Sequence, residues 1–180
     1  FSVAHNDEFT TIGAEAFMDS ALQNVDLFDS VTTIGARAFA GCAKLEALTL
    51  PESLTEIGEG ALDGLTGLKK LVIKCDPALI PAGVFANLPE LADVTVETGA
   101  IPAHMFEGSG VTTLALGEGV TEIGESAFAG TKLSTADLQN AAVIGAGAFA
   151  GTMLNTADLQ NVAVIGTGAF EGAALERVTL

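Results

Sequence analysis

Hydrophobic positions recur along this chain in two interlocked patterns. The first is Leu-x-x-Leu-x-Leu, carried by Leu22-Val25-Leu27, Leu45-Leu48-Leu50, Leu68-Leu71-Ile73, Leu91-Val94-Val96 and Val111-Leu114-Leu116. Leu133-Ala136-Leu138, Leu154-Ala157-Leu159 and Leu175-Val178-Leu180 complete it. Its last three positions alternate with period 2, so each segment predicts a short strand with one buried face. The second pattern is Ile-Gly-x-x-Ala-Phe, at 12–17, 34–39, 123–128, 144–149 and 165–170, with looser copies at 57–62, 80–85 and 101–106. The isoleucines at 12, 34, 57, 80, 101, 123, 144 and 165 mark eight units of 21–23 residues. Residues 131–151 and 152–172 match at 16 of 21 positions, which points to a duplication.

A unit of this length cannot bury its apolar face alone, whereas stacked neighbours can, and equal offsets make the strands parallel and in register. The predicted fold is an α/β repeat solenoid occupying 1–180 as a single domain. Its strand sheet forms one face. A second, weaker strand is expected entering each Ile, as in Val31-Thr-Thr-Ile34 and Leu54-Thr-Glu-Ile57. The Gly after Ile is expected to permit a tight bend. The following x-x-Ala-Phe-x predicts about one helical turn, stopped at Gly41, Gly64, Gly108, Gly130, Gly151 or Gly172 by a left-handed cap. Pro81 and Pro102 replace the bend Gly in two units and are expected to alter that corner without breaking the coil.

Ile34 to Pro51, IGARAFAGCAKLEALTLP, resembles the BspA-like leucine-rich repeat family, and the resemblance extends over essentially the whole chain. It implies a leucine-rich repeat right-handed coil of about eight units. It also implies a secreted or cell-surface protein whose repeats mediate adhesion or ligand binding. The chain departs from the commoner leucine-rich pattern in lacking an Asn or Cys ladder just after the strand.

Composition fits the repeat. There are ten Phe with no Trp or Tyr, and seven of them fall in one column: Phe17, Phe39, Phe85, Phe106, Phe128, Phe149 and Phe170, with Leu62 substituting once. They predict an internal spine rather than a recognition surface. Phe9 shares the column of Val31 and Leu54 and is expected in the core, which leaves Phe1 and Phe28 as candidates for exposure. The formal charge of −16 excludes nucleic acid and anionic membranes as partners, since both need a basic footprint. No residue run approaches the roughly 18 consecutive apolar residues of a membrane span.

Candidate chemistry is sparse. Cys42 and Cys75 fall at opposite ends of the strand layer, so they read as buried free thiols rather than a disulfide. His5 and His104 have no company suited to metal or catalysis, and no nucleophile elbow, phosphate loop or zinc spacing occurs. No cofactor, metal site or enzymatic activity is expected. Asp137 and Asp158 share an outward position one repeat apart, where solvated surface acid is the better reading over Ca²⁺ binding.

The remaining surface is the outward side of the strands. Candidate binding residues there are Asp26, Thr49, Lys70, Val72, Lys74, Asp93, Thr95, Thr135, Asp137, Thr156, Asp158 and Arg177, with Lys70 and Lys74 forming a basic spot beside Asp93. Solenoid faces of this kind bind protein, and a glycan ligand is the other candidate. The same short polar residues also suit an exposed sheet kept soluble. The functional expectation is a non-enzymatic surface module for protein binding. A structural spacer or self-assembling scaffold is the alternative. Aligning 2–9 with 24–31 puts Val3 and His5 in a first strand, so the sequence reads as incomplete at both ends, and open terminal coils would allow end-to-end association.

Overall fold

The computed structural model describes residues 8–180; the expectations for Phe1, Val3 and His5 lie outside them. Eleven strands are present among these residues. The first five are β1 (Thr11–Ile12), β2 (Thr33–Ile34), β3 (Ala47–Leu50), β4 (Glu56–Ile57) and β5 (Lys70–Ile73). β6 (Asp93–Ile101) and β7 (Thr113–Ile123) are the long ones. β8 (Val143–Ile144), β9 (Thr156–Asp158), β10 (Val164–Ile165) and β11 (Arg177–Thr179) complete the set. Every pairing is parallel, and the repeat register holds residue for residue: Leu48 opposite Leu71, Leu71 opposite Val94, and Val94 opposite Leu114.

The expected second strand exists as a separate ladder along the isoleucines. Ile12, Ile34 and Ile57 pair in β1-β2-β4, and Ile101, Ile123, Ile144 and Ile165 pair in β6-β7-β8-β10. Between Ile57 and Ile101 it stops. Elsewhere the Gly N–H after each Ile donates to the Ile carbonyl of the preceding coil, as Gly35 to Ile12 (2.8 Å), Gly58 to Ile34 (2.7 Å) and Gly124 to Ile101 (2.8 Å). Pro81 and Pro102 have no N–H to give. The coil at Ile80 turns through a 3₁₀ segment, Pro77–Leu79, with the Asp76 side chain accepting from Ala78 N.

The expected helical turns do not form. No α-helix occurs among the described residues, and the α/β assignment gives way to a parallel-strand solenoid. The third and seventh residues after every Ile have φ between 51° and 74°, from Glu15 and Asp19 to Gly168 and Gly172. Local i→i−3 bonds (Ala38 N to Gly35 O, Ala40 N to Arg37 O) alternate with bonds to the next coil (Arg37 N to Glu59 O, Phe39 N to Ala61 O, Gly41 N to Asp63 O). A helix would consume the N–H groups that join coil to coil.

The inward columns form one continuous core. Its spine is the stack of Phe rings, with centroids 5.2 Å apart for Phe106–Phe128, 5.5 Å for Phe128–Phe149 and 5.4 Å for Phe149–Phe170. Leu62 interrupts it between Phe39 and Phe85, and both rings there are fully buried. Phe9 departs from expectation. It is 41% exposed, whereas Val31 and Leu54 in its column are 0% and 3% exposed. Phe9 belongs to the first described coil, which has a described neighbour on one side only. Phe28 is half-buried against the core.

Candidate binding face

Two columns of outward side chains cross the larger sheet. Asn24, Ala47, Lys70, Asp93 and Thr113 form one, and Thr49, Val72, Thr95 and Ala115 the other. Parallel pairing sets neighbours in each column about 4.8 Å apart. Lys70 and Asp93 are exposed, while Thr49, Val72 and Thr95 are half-buried between their neighbours. Lys70 thus stands beside Asp93, as the repeat register requires. Just ahead of the strand, Lys69 Nζ meets Glu46 Oε1 at 2.9 Å, and this bond raises the ammonium pKa.

Lys74 is not part of a basic spot with Lys70. It lies past the end of β5, in a corner cleft of about 430 Å³ shared with Asp29, Glu52, Ser53 and Glu97. Asp26 is exposed and borders an apolar depression lined by Phe9, Ile12, Phe17, Phe28 and Val31.

Thr135, Asp137, Thr156 and Asp158 come together elsewhere, around an open cleft of about 420 Å³ that Leu114, Ala136, Leu138 and Gln139 also line. Asp137 Oδ1 accepts from Gln139 N (3.1 Å), and Asp158 Oδ1 accepts from Gln160 N (3.3 Å). Each carboxylate is therefore held by its own turn. Arg177 pairs with Thr156 across β9 and β11. Among the described residues no three His, Cys, Asp or Glu side chains are grouped to hold a metal ion.

The sequence did not mark this cleft, whose origin is a break in the sheet. Strand pairing continues from β3 to the first half of β7 and resumes only at β9 with β11. Residues 135–138 between them form no strand, and the link from Asn155 N to Ser134 O is a long 3.4 Å. The letters carried no signal for the break: Ala136 and Ala157 occupy the same place in their units, and Ala157 lies in the paired β9.

Both thiols are free and buried. Cys42 Sγ donates to Phe17 O at 3.0 Å, and burial pushes the Cys75 thiol up to about 11. In the column of Cys42, the buried hydroxyls of Ser109, Thr131 and Thr152 each donate to the carbonyl of the Phe three residues earlier. The exposed His104 Nδ1 contacts Glu107 at 2.8 Å.

Comparison with known proteins agrees with this geometry. The model of the BspA type leucine rich repeat region, in six copies, matches residues 10–100 and 80–180. A leucine-rich repeat protein from Bacteroides ovatus ATCC 8483 has a similar solved structure, with TM-score 0.54 and 25% identity. It is matched over 94% of this chain and 58% of its own. A leucine rich cell surface protein from Faecalibacterium prausnitzii A2-165 gives TM-score 0.52 and 22% identity, over 94% of this chain and 57% of its own. The chain thus spans less than two thirds of either. Among curated proteins, none matches closely enough to count as a relative.

Proposed function

The chain belongs to the BspA-type leucine-rich repeat family, and we propose that it is a non-enzymatic, secreted or cell-surface module that binds protein along its strand face. One observation carries the reading. Two outward columns, Asn24 through Thr113 and Thr49 through Ala115, run in register across successive coils and present mostly small or β-branched side chains, with Lys70 beside Asp93. Such a face offers a broad, rigid surface at little cost in side-chain entropy. The surface location draws on the description of the Faecalibacterium protein, whose likeness is one of fold.

Surface plasmon resonance against purified matrix proteins tests this. At least one is expected to bind saturably and to lose affinity by about tenfold when Lys70→Glu and Thr95→Asp are combined. Unchanged affinity would remove this face as the site. A self-assembling scaffold, the alternative expected from the sequence, predicts concentration-dependent sedimentation and no ligand in the same screen.

A further inference from the structure

The coils of Ile57 and Ile80 meet differently from their neighbours. In the turn after each Ile, alternate N–H groups donate to the next coil: Arg37 to Glu59 O (3.0 Å), Phe39 to Ala61 O (2.9 Å) and Gly41 to Asp63 O (2.9 Å). Ser126, Phe128 and Gly130 do the same toward Ala146, Ala148 and Ala150. Their counterparts Gly60, Leu62 and Gly64 donate to no acceptor among the described residues. The isoleucine ladder is missing at the same place, since β4 pairs with β2 alone. Among the described residues, no main-chain hydrogen bond joins 54–66 to 76–90.

Two residues account for much of this. Pro81 stands where a Gly N–H would reach the Ile57 carbonyl, and it has none to give. Leu62 leaves Phe39 and Phe85 without a ring between them. Spacing agrees with bonding. A Cβ on Gly64 would stand 3.4 Å from Gly41 N, and one on Gly60 3.4 Å from Arg37 Cγ, both in the preceding coil. A Cβ on Gly83 would meet nothing of its preceding coil within 4 Å. The far side of the same coil is tight: β6 pairs with β7 from Asp93 to Ile101, and a Cβ on Gly99 would stand 2.6 Å from Pro77 Cδ.

What joins the two coils is one short ladder at the strand side, Lys70 opposite Asp93 through Ile73 opposite Val96, with Ala92 N and Asp93 N donating to Lys69 O just ahead of it. Leu62, Leu65 and Phe85 are fully buried, so the depth of the seam is dry. Apolar contact is non-directional and tolerates a small rotation, whereas a hydrogen bond holds an angle. We propose that the solenoid bends here: the coils before and after this seam turn as two bodies about the β5–β6 ladder, and the turn side opens and closes. Bending tilts the two halves of the strand face against each other, with Lys70 and Asp93 on the axis. This goes beyond the binding reading and does not depend on it.

Distances between nitroxide pairs, read by double electron–electron resonance, test this in the full 180-residue chain. Cys42→Ser and Cys75→Ala first remove the native thiols. Ala14→Cys with Ala103→Cys crosses the seam on the turn side. Asn24→Cys with Thr113→Cys crosses the same four coil steps on the strand face, each pair spanning about 19 Å of backbone at the strand spacing. The turn-side distribution is expected to be at least about twice as wide as the strand-face one, because bending moves only the side away from the axis. Combining Leu62→Phe with Pro81→Gly, which supplies the missing ring and N–H, should narrow it to the strand-face width. Should the added ring overpack, Pro81→Gly alone supplies the N–H and should narrow the distribution in part. Equal widths of the two pairs in the parent overturn the hinge. So does a turn-side width that neither restoring variant reduces.

Discussion

The glycine after each isoleucine has a different purpose from the one its position suggests. It is absent from the residues with positive φ, so the bend does not demand it. What demands it is the neighbouring coil: a Cβ on Gly58 would stand 2.4 Å from Ala36 N, and one on Gly35 2.5 Å from Ala14 N. Among the described residues, nothing lies within 4 Å of a Cβ placed on Gly13. Gly58→Ala should therefore destabilise the protein by about 1–3 kcal/mol, as overpacking does. Gly13→Ala should change stability by less than about 0.5 kcal/mol. Guanidinium unfolding midpoints distinguish the two, and equal midpoints would dismiss coil approach as the cause.

Cys75 gives a second test at this scale. Burial raises its pKa from 9.0 to about 11, so the folded protein holds the thiol proton more tightly than the unfolded chain. That contribution is complete below pH 9 and lost as pH rises through 11. Unfolding free energy should fall over this window by more in the parent than in Cys75→Ala, since Lys69 titrates alike in both. A parallel decline would disprove the assignment. The Ile, Leu and Phe columns were legible because each residue type has one buried use. The glycine was not, since close approach lies between coils and leaves no mark within one unit.

At the scale of the element, six of the eight patterned Leu segments form strands, while 22–27 keeps only the bridge from Asn24 to Ala47 and 133–138 forms none, and the expected helical turns are absent among the described residues. Ile-Gly-x-x-Ala-Phe places Ala and Phe where a single helical turn would also bury them. The discriminating mark is the third residue after Ile, where Gly60, Gly83, Gly147 and Gly168 favour the left-handed backbone that a helix rejects. The candidate face was legible in its columns, since Lys70 does stand beside Asp93. Its interruption was not: residues 134–138 and 155–159 differ only at Ser134 and Asn155, so the same letters are strand in one coil and open backbone in the other. Native-state hydrogen exchange should show this. Amides of 135–138 should exchange orders of magnitude faster than those of Leu48, Leu71 and Val94, which lie in continuous ladders. Comparable protection would mean that the sheet is unbroken in solution.

For the whole molecule, stability is a sum over neighbouring coils, and cooperativity depends on how many ladders cross each interface. The first and last interfaces are crossed by strand-face pairing, the isoleucine ladder, the turn ladder and Phe stacking together, whereas the isoleucine ladder is missing between Ile57 and Ile101 and Leu62 interrupts the spine. On either side of 135–138 the strand sheet is lost, which leaves the other three. Phe128 holds two of those together: it stacks on Phe106 and Phe149, and its N–H donates to Ala148 O while Phe106 N donates to Ala127 O. Phe39, also fully buried, sits where Ala47–Leu50 and Lys70–Ile73 remain paired. Truncating either ring to Ala should cost about 3–5 kcal/mol in local packing. The consequences should differ in shape. Phe128→Ala should divide the guanidinium transition into two, with the coils beyond 130 unfolding first, whereas Phe39→Ala should lower the midpoint of a single transition. Residue-resolved NMR through the titration reads the order of loss. One shared midpoint in Phe128→Ala would show that the isoleucine and turn ladders suffice to carry cooperativity across the broken sheet.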